Sequence, residues 1–99
     1  MMTQTDLIAE DRRLHILMCL KTSSDYRLSD VLLQAMLRRI GLAASLSVID
    51  GDLSWLEAQG LVVVEELGEC TLALLRSEGV DVAEGVAHRR GIAKPRPVN

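Results

Sequence analysis

The chain has no Phe, one Trp and one Tyr, so any core it builds must be aliphatic. Its two cysteines, Cys19 and Cys70, are too few for a disulfide scaffold and fit a reducing compartment. Long apolar runs are missing as well. Nothing approaches the roughly 18 residues of a membrane span, and the first residues, MMTQTDLIAEDRR, lack the basic-then-apolar layout of a signal peptide. The expectation is a soluble, cytoplasmic protein. Cations are missing from one place in particular: residues 45–59 contain neither Lys nor Arg.

What is present suits one small domain. A chain of 99 residues with 48% apolar content buries about 60–65% of its unfolded surface. The net charge of −3 gives no global attraction for a polyanion. Charge is unevenly placed, however. Residues 86–99 hold Arg89, Arg90, Lys94 and Arg96 and no acid, a charge of +4 that leaves −7 on the other 85 residues. The expected organisation is an acidic domain over 1–85 followed by a basic, flexible tail over 86–99, rich in Pro and Gly.

Local grammar places the elements. Leu7, Asp11, Leu14 and Met18 recur at helical spacing, with Leu17 widening the apolar stripe, and predict a first helix over 7–20, with Glu10, Arg12 and Arg13 on the wet side and Thr5 or Asp6 as its cap. A polar loop at 22–25 and the lead-in Tyr26-Arg27-Leu28 precede a second helix over 30–40. Ser29 caps it, Leu28 and Leu33 staple it, and Gly41 with Leu42 folding onto Leu37 ends it. The third helix repeats this pattern from Ser45 to Gly60, with Leu61 folding onto Leu56. At 100° per residue, Ile49, Leu53 and Leu56 face the core, and Ser47, Gly51, Ser54 and Ala58 form a strip of small residues opposite. Asp50, Asp52 and Glu57 flank that strip, as does Trp55, read as a packing residue against the hairpin or the second helix. Residues 61–66 and 70–75 are β-branched and apolar around a turn at Leu67-Gly68-Glu69, which reads as a hairpin. A short helix over 76–84 closes the domain.

The order α-α-α-β-β-α, with only 42–44 between the second and third helices, is that of a winged helix-turn-helix: mainly α, with a small β-hairpin as the wing. Residues 7–20 (LIAEDRRLHILMCL), Tyr26-Arg27-Leu28, Asp52-Leu53-x-Trp55-Leu56-x-x-Gln59-Gly60-Leu61-Val62, Glu78-Gly79-x-Asp81-Val82-Ala83 and Lys94-Pro95-Arg96-Pro97 resemble a family of small winged-helix proteins of Mu-like transposable phages and prophages. The Gln59-Gly60-Leu61-Val62 junction is loosely similar to that of ArsR-type regulators. The resemblance implies a phage origin, a bacterial host cytoplasm and a winged-helix fold. It brings no biochemical role. DNA binding enters by analogy of fold alone.

The residues themselves argue against DNA at the third helix. Base edges are read by Arg, Lys, Asn and Gln, and only Gln59, at the far end, is of that type. A carboxylate about 6 Å from a phosphate costs roughly 1–3 kcal/mol, as much as a good base contact returns. Glu65, Glu66 and Glu69 crowd the hairpin tip. Catalysis has no support either: no nucleophile–base pattern, phosphate loop or metalloprotease motif occurs, and Asp50 and Asp52 diverge by about 200° on a helix. His15 and Cys19 share a helical face, but only Cys70 and His88 could complete a metal site, and an inert buried thiol is the simpler reading of Cys19. No cofactor or metal is expected.

Two functional expectations follow. One is a DNA-binding transcriptional regulator or DNA-transaction accessory, a homodimer through the first and last helices. Its phosphate contacts would come from Arg38, Arg39, Ser47, Ser54, Arg89, Arg90, Lys94 and Arg96. The other is a protein-interaction adaptor that binds a phage or host protein through Asp50, Gly51, Ser54 and Glu57.

Overall fold

Thr3 starts the first helix. Its hydroxyl accepts from the Asp6 backbone N–H while the Asp6 carboxylate accepts from that of Thr3, a complete capping box. Helix α1 therefore spans Gln4–Thr22, a turn earlier than the apolar spacing suggests. The computed structural model describes residues 1–97 and contains, after α1, strand β1 (Arg27–Ser29), helices α2 (Asp30–Arg39) and α3 (Leu46–Ala58), strands β2 (Val62–Leu67) and β3 (Cys70–Leu75), and helix α4 (Ser77–Ala83).

Ser29 and Ser45 cap α2 and α3, accepting from the backbone N–H groups of Leu32 and Val48. Both helices end in full Schellman motifs. Leu42 donates to Leu37 at 2.9 Å and Leu61 to Leu56 at 3.1 Å, while Gly41 and Gly60 donate to Arg38 and Glu57. These ends set the short α2–α3 turn and send the chain from α3 straight into β2.

The sheet has three antiparallel strands in the order β1-β3-β2. Sequence reading gave the hairpin but took 26–28 as a lead-in. In fact Arg27, Leu28 and Ser29 pair with Leu74, Ala73 and Leu72, so the order is α-β-α-α-β-β-α. Three residues are too short for a strand periodicity to show, and β1 exists only because β3 offers it an edge. The Leu75 backbone N–H also donates to the Tyr26 carbonyl at 2.8 Å, extending that edge.

The core is aliphatic, as the composition requires. Leu14, Ile16, Leu17 and Leu20 of α1 meet Leu33 and Leu37 of α2, Ile49, Leu53 and Leu56 of α3, and Leu61, Val62, Ala73 and Leu75 around the sheet. Val82 and Ala83 of α4 join from the other side. Gly79 allows that approach: a Cβ there would lie 2.3 Å from the Leu61 carbonyl oxygen.

The rotation of α1 differs from the expected one. Leu7 and Met18 are exposed, and the buried stripe runs through Leu14, Ile16, Leu17 and Leu20. This is a turn of about 100° at the helical step of 100° per residue. Arg12 and Arg13, each four residues before a buried side chain, consequently point inward and are not on the wet side.

The C-terminal segment is docked, in contrast to the flexible tail expected over 86–99. Ile92 is buried in the core, and Ala87 and Ala93 pack against it. The Ala93 backbone N–H donates to the Glu10 carbonyl at 3.1 Å, tying the segment to α1. Composition signals Pro, Gly and charge, but buried Ile92, with the hydrogen bonds at Gly91 and Ala93, holds the segment in place. Val98 and Asn99 lie outside the described residues.

Candidate functional site

Helix α3 presents the surface that sequence reasoning singled out. Ser47, Gly51, Ser54 and Ala58 are all exposed, opposite the buried Ile49, Leu53 and Leu56. A Cβ added at Gly51 would meet no atom within 4 Å, so the strip is open.

Its acids are another matter. Asp52 is not on the flank of this surface but buried, 4% exposed. It lies about 60° from Ile49 and about 40° from Leu56 on the helical wheel, at the edge of the core arc. Arg12 grips it through Nε to Oδ2 and Nη2 to Oδ1, and Arg13 adds Nε to Oδ1 at 3.1 Å. A buried carboxylate needs such partners because desolvation is costly for an unpaired charge. Glu57 is also engaged. Its Oε2 accepts from the Val64 backbone N–H at 2.8 Å, joining α3 to β2. Asp52, buried and neutralised by two arginines, therefore presents no charge to a phosphate approaching α3. The hairpin acids Glu65, Glu66 and Glu69 do remain exposed.

Trp55 is half-buried against the core. The Arg13 guanidinium lies over its ring at 4.5 Å from the centroid. Gly91 also approaches the ring, with a φ of 95° and so little room that a Cβ would stand 2.7 Å from the indole. Arg13 Nη1 donates to the Gly91 carbonyl at 3.0 Å. Arg12, Arg13, Asp52, Trp55 and Gly91 thus form one linked cluster joining α1, α3 and the C-terminal segment. Arg12, Arg13, Asp52 and Trp55 all fall in the motifs quoted from the sequence, but nothing in their spacing shows that they meet.

Asp50 has a partner that sequence reading missed. Asp30, the first residue of α2, is buried and accepts from the Val31 backbone N–H at 2.8 Å. Asp50 abuts it from α3. Burial, then a hydrogen bond to Asp30 and its charge, and then the charge of Glu66 push the Asp50 carboxyl up to about 6. Its Oδ1 is buried without a hydrogen-bond partner. Because the folded value exceeds the unfolded 3.8, this group favours the fold fully below about pH 4. That contribution is lost as pH rises through about 6. Asp50→Asn is expected to raise stability at pH 8 by about 1–2 kcal/mol, after discounting for solvent screening, and to have little effect at pH 4. Thermal melts of both proteins across pH 4–8 check this.

The candidate phosphate-binding residues do not form one surface. Arg38 and Arg39 are exposed in the last turn of α2. Lys94 and Arg96 line a groove with Ile40 and Gly41, so docking of the C-terminal segment brings them to the same end of α2. Arg89 is engaged with Glu78 at 2.7 Å, and Arg90 lines a separate hollow with Asp6 and Glu10. Ser47 and Ser54 stand on the outer face of α3 and line neither depression.

Other chemistry finds little footing. His15 Nδ1 lies 2.8 Å from the Asp11 carbonyl, and burial raises the Cys19 thiol above its usual range. Among the described residues, no three His, Cys, Asp or Glu side chains are grouped to hold a metal ion. No helix there is long and apolar enough to cross a membrane.

No family model matches the chain. Over 92 residues it is 40% identical to the "Uncharacterized protein gp26" of Escherichia phage Mu, a match covering 93% of this chain and 95% of that protein. Identity at that level over nearly the whole of both chains carries the phage origin implied by the sequence motifs. The chain belongs to the family of phage Mu gp26.

Proposed function

We propose that this phage protein is a winged helix that acts by binding and not by catalysis, and that its α2–α3 face docks another phage or host protein. The fold reading rests on element order: α1-β1-α2-α3-β2-β3-α4, with a short α2–α3 turn and a hairpin directly after α3 as the wing. The docking reading rests on one observation. The exposed side chains of α3 include Leu46, Val48 and the small strip, with no cation anywhere along the helix. Val31 and Leu32 are exposed on the first turn of α2 as well. Apolar and small side chains suit a desolvated protein contact, whereas a DNA-reading helix needs donors for base edges.

Gly51 tests the use of that face. With open space around it, Gly51→Ala is expected to stabilise the isolated protein by about 1 kcal/mol in urea unfolding. On the docking reading the same variant is expected to weaken partner binding, because the added methyl stands on the strip that approaches the partner.

DNA binding is the second reading, favoured by two findings. Asp52 no longer opposes it, and Lys94 and Arg96 gather at the end of α2 beside Arg38 and Arg39. Fluorescence anisotropy of the full chain with a generic duplex over a salt series separates the readings. Absence of duplex affinity at physiological salt supports docking. Tight, salt-steep binding that Lys94→Ala with Arg96→Ala weakens would install the DNA reading in its place.

A further inference from the structure

Among the described residues, the outer stripe of α1 is left without a partner. Leu7, Asp11 and Met18, the spacing that first marked this helix, line two adjoining depressions of about 550 and 340 Å³ that share Asp11, Leu42, Ala93 and Arg96. In the larger one the apolar wall is formed by Met18, Ile40 and Leu42, and the rim carries His15, Lys94 and Arg96. Asp11 also lies there, 3.5 Å from His15. The larger depression thus sets an apolar wall beside Lys94 and Arg96, with Asp11 as its one acid, while the smaller adds Glu10, so the cations are concentrated at the Lys94–Arg96 edge.

The wing tip has the opposite chemistry. Leu67 is 56% exposed at a two-residue turn, and Glu65, Glu66 and Glu69 surround it with no cation in the hairpin. A large exposed aliphatic residue at a narrow, acid-flanked tip matches an apolar groove with cations at its edge. No residue of the hairpin lines the groove, so the two are not joined within one chain.

We propose that the chain associates with itself, the wing tip of one copy seating Leu67 in the α1–α2–C-terminal groove of a second. Glu66 and Glu69 then face Lys94, Arg96 and His15. The contact is heterologous, since each copy offers one wing and one groove. It buries little area, which places it among weak interfaces, and screening of the rim charges makes it weaken with salt. It uses neither the outer face of α3 nor the first turn of α2, so it stands apart from the docking reading above, and its tests leave that face intact.

Sedimentation of the full chain from about 10 µM to 1 mM, a range suited to weak contacts, is the test. Wild type is expected to gain mass with concentration, more so at low salt. Leu67→Asp abolishes the association, and Lys94→Glu with Arg96→Glu weakens it at least tenfold. An equimolar mixture of these two variants is the decisive arm. The first keeps a working groove and the second a working wing, so together they form pairs and stop there. Adding Glu66→Lys and Glu69→Lys to the second variant restores association with itself. Wild type that stays monomeric throughout overturns the proposal. So does association that survives Leu67→Asp but is lost on Leu7→Asp, which would indicate pairing of α1 helices. Circular dichroism of each variant confirms that the fold is kept.

Discussion

Asp52→Asn is expected to lower unfolding free energy by about 3–5 kcal/mol, the usual cost of removing one member of a buried ion cluster. The loss arises because Arg12 and Arg13 are left inside without their counter-charge. Both arginines are largely buried, 13% and 21% exposed, so water cannot take over from the carboxylate. An Asn side chain keeps the shape and one acceptor but leaves two cations facing one neutral group. Urea denaturation at pH 7 measures the change. A loss below about 1 kcal/mol would mean the arginines turn out to solvent, as surface pairs do. Replacing Arg12, Arg13 and Asp52 together by apolar residues of similar volume should be far milder than the single change, since desolvation offsets much of the ionic attraction. This result also bears on function. Asp52 is buried and paired with Arg12 and Arg13, so a charge-neutralising variant there tests the fold first.

Ending the chain after Gly85 is expected to cost about 3–4 kcal/mol. Burial of a side chain such as Ile92 contributes roughly 1.5–3 kcal/mol, and the two backbone-directed hydrogen bonds, Ala93 to Glu10 and Arg13 to Gly91, add about 1 kcal/mol each before partial loss to water. Trp55, the single tryptophan, loses its contact with Gly91 and is opened to solvent. Its emission should shift to the red on truncation, giving a direct reading of docking alongside the melting temperature. Gly91→Ala should produce the same shift at smaller cost, because the added Cβ meets the indole at 2.7 Å and its backbone sits at φ 95°. Unchanged emission and stability in the shortened chain would show that residues 86–97 add nothing to the fold. Truncation is consequently a poor way to ask whether Arg89, Arg90, Lys94 and Arg96 touch DNA. Point substitutions at Lys94 and Arg96, which are exposed, ask that question without opening the core.

The two results belong together. Asp52, Arg13 and Gly91 are links of a single path from α3 through α1 to the C-terminal segment. Disturbing either end is expected to move Trp55. Asp50 behaves differently: it faces Asp30 and Glu66, and removing its charge relieves the fold at high pH. Two aspartates two residues apart in the sequence thus carry opposite signs of stability effect at pH 8.

Much of the architecture was legible because it is local. Ser29 and Ser45 cap, and Gly41 and Gly60 terminate, through hydrogen bonds that span at most five residues. The core face of α3 and its exposed small strip also follow from the helical period alone. The hairpin follows from two β-prone runs around one turn. What the sequence by itself determined, then, was where most elements begin and end and how α3 is turned. Tertiary structure alone decided the rest. The Arg12–Asp52 and Arg13–Gly91 contacts join residues 40 and 78 positions apart, and β1 waits on an edge offered by β3. A charged residue on a helix reads as exposed until a distant partner makes its burial tolerable, and a Pro- and Gly-bearing segment reads as mobile until a gap accepts its one isoleucine. Those outcomes depend on which surfaces meet, and no local spacing encodes that meeting.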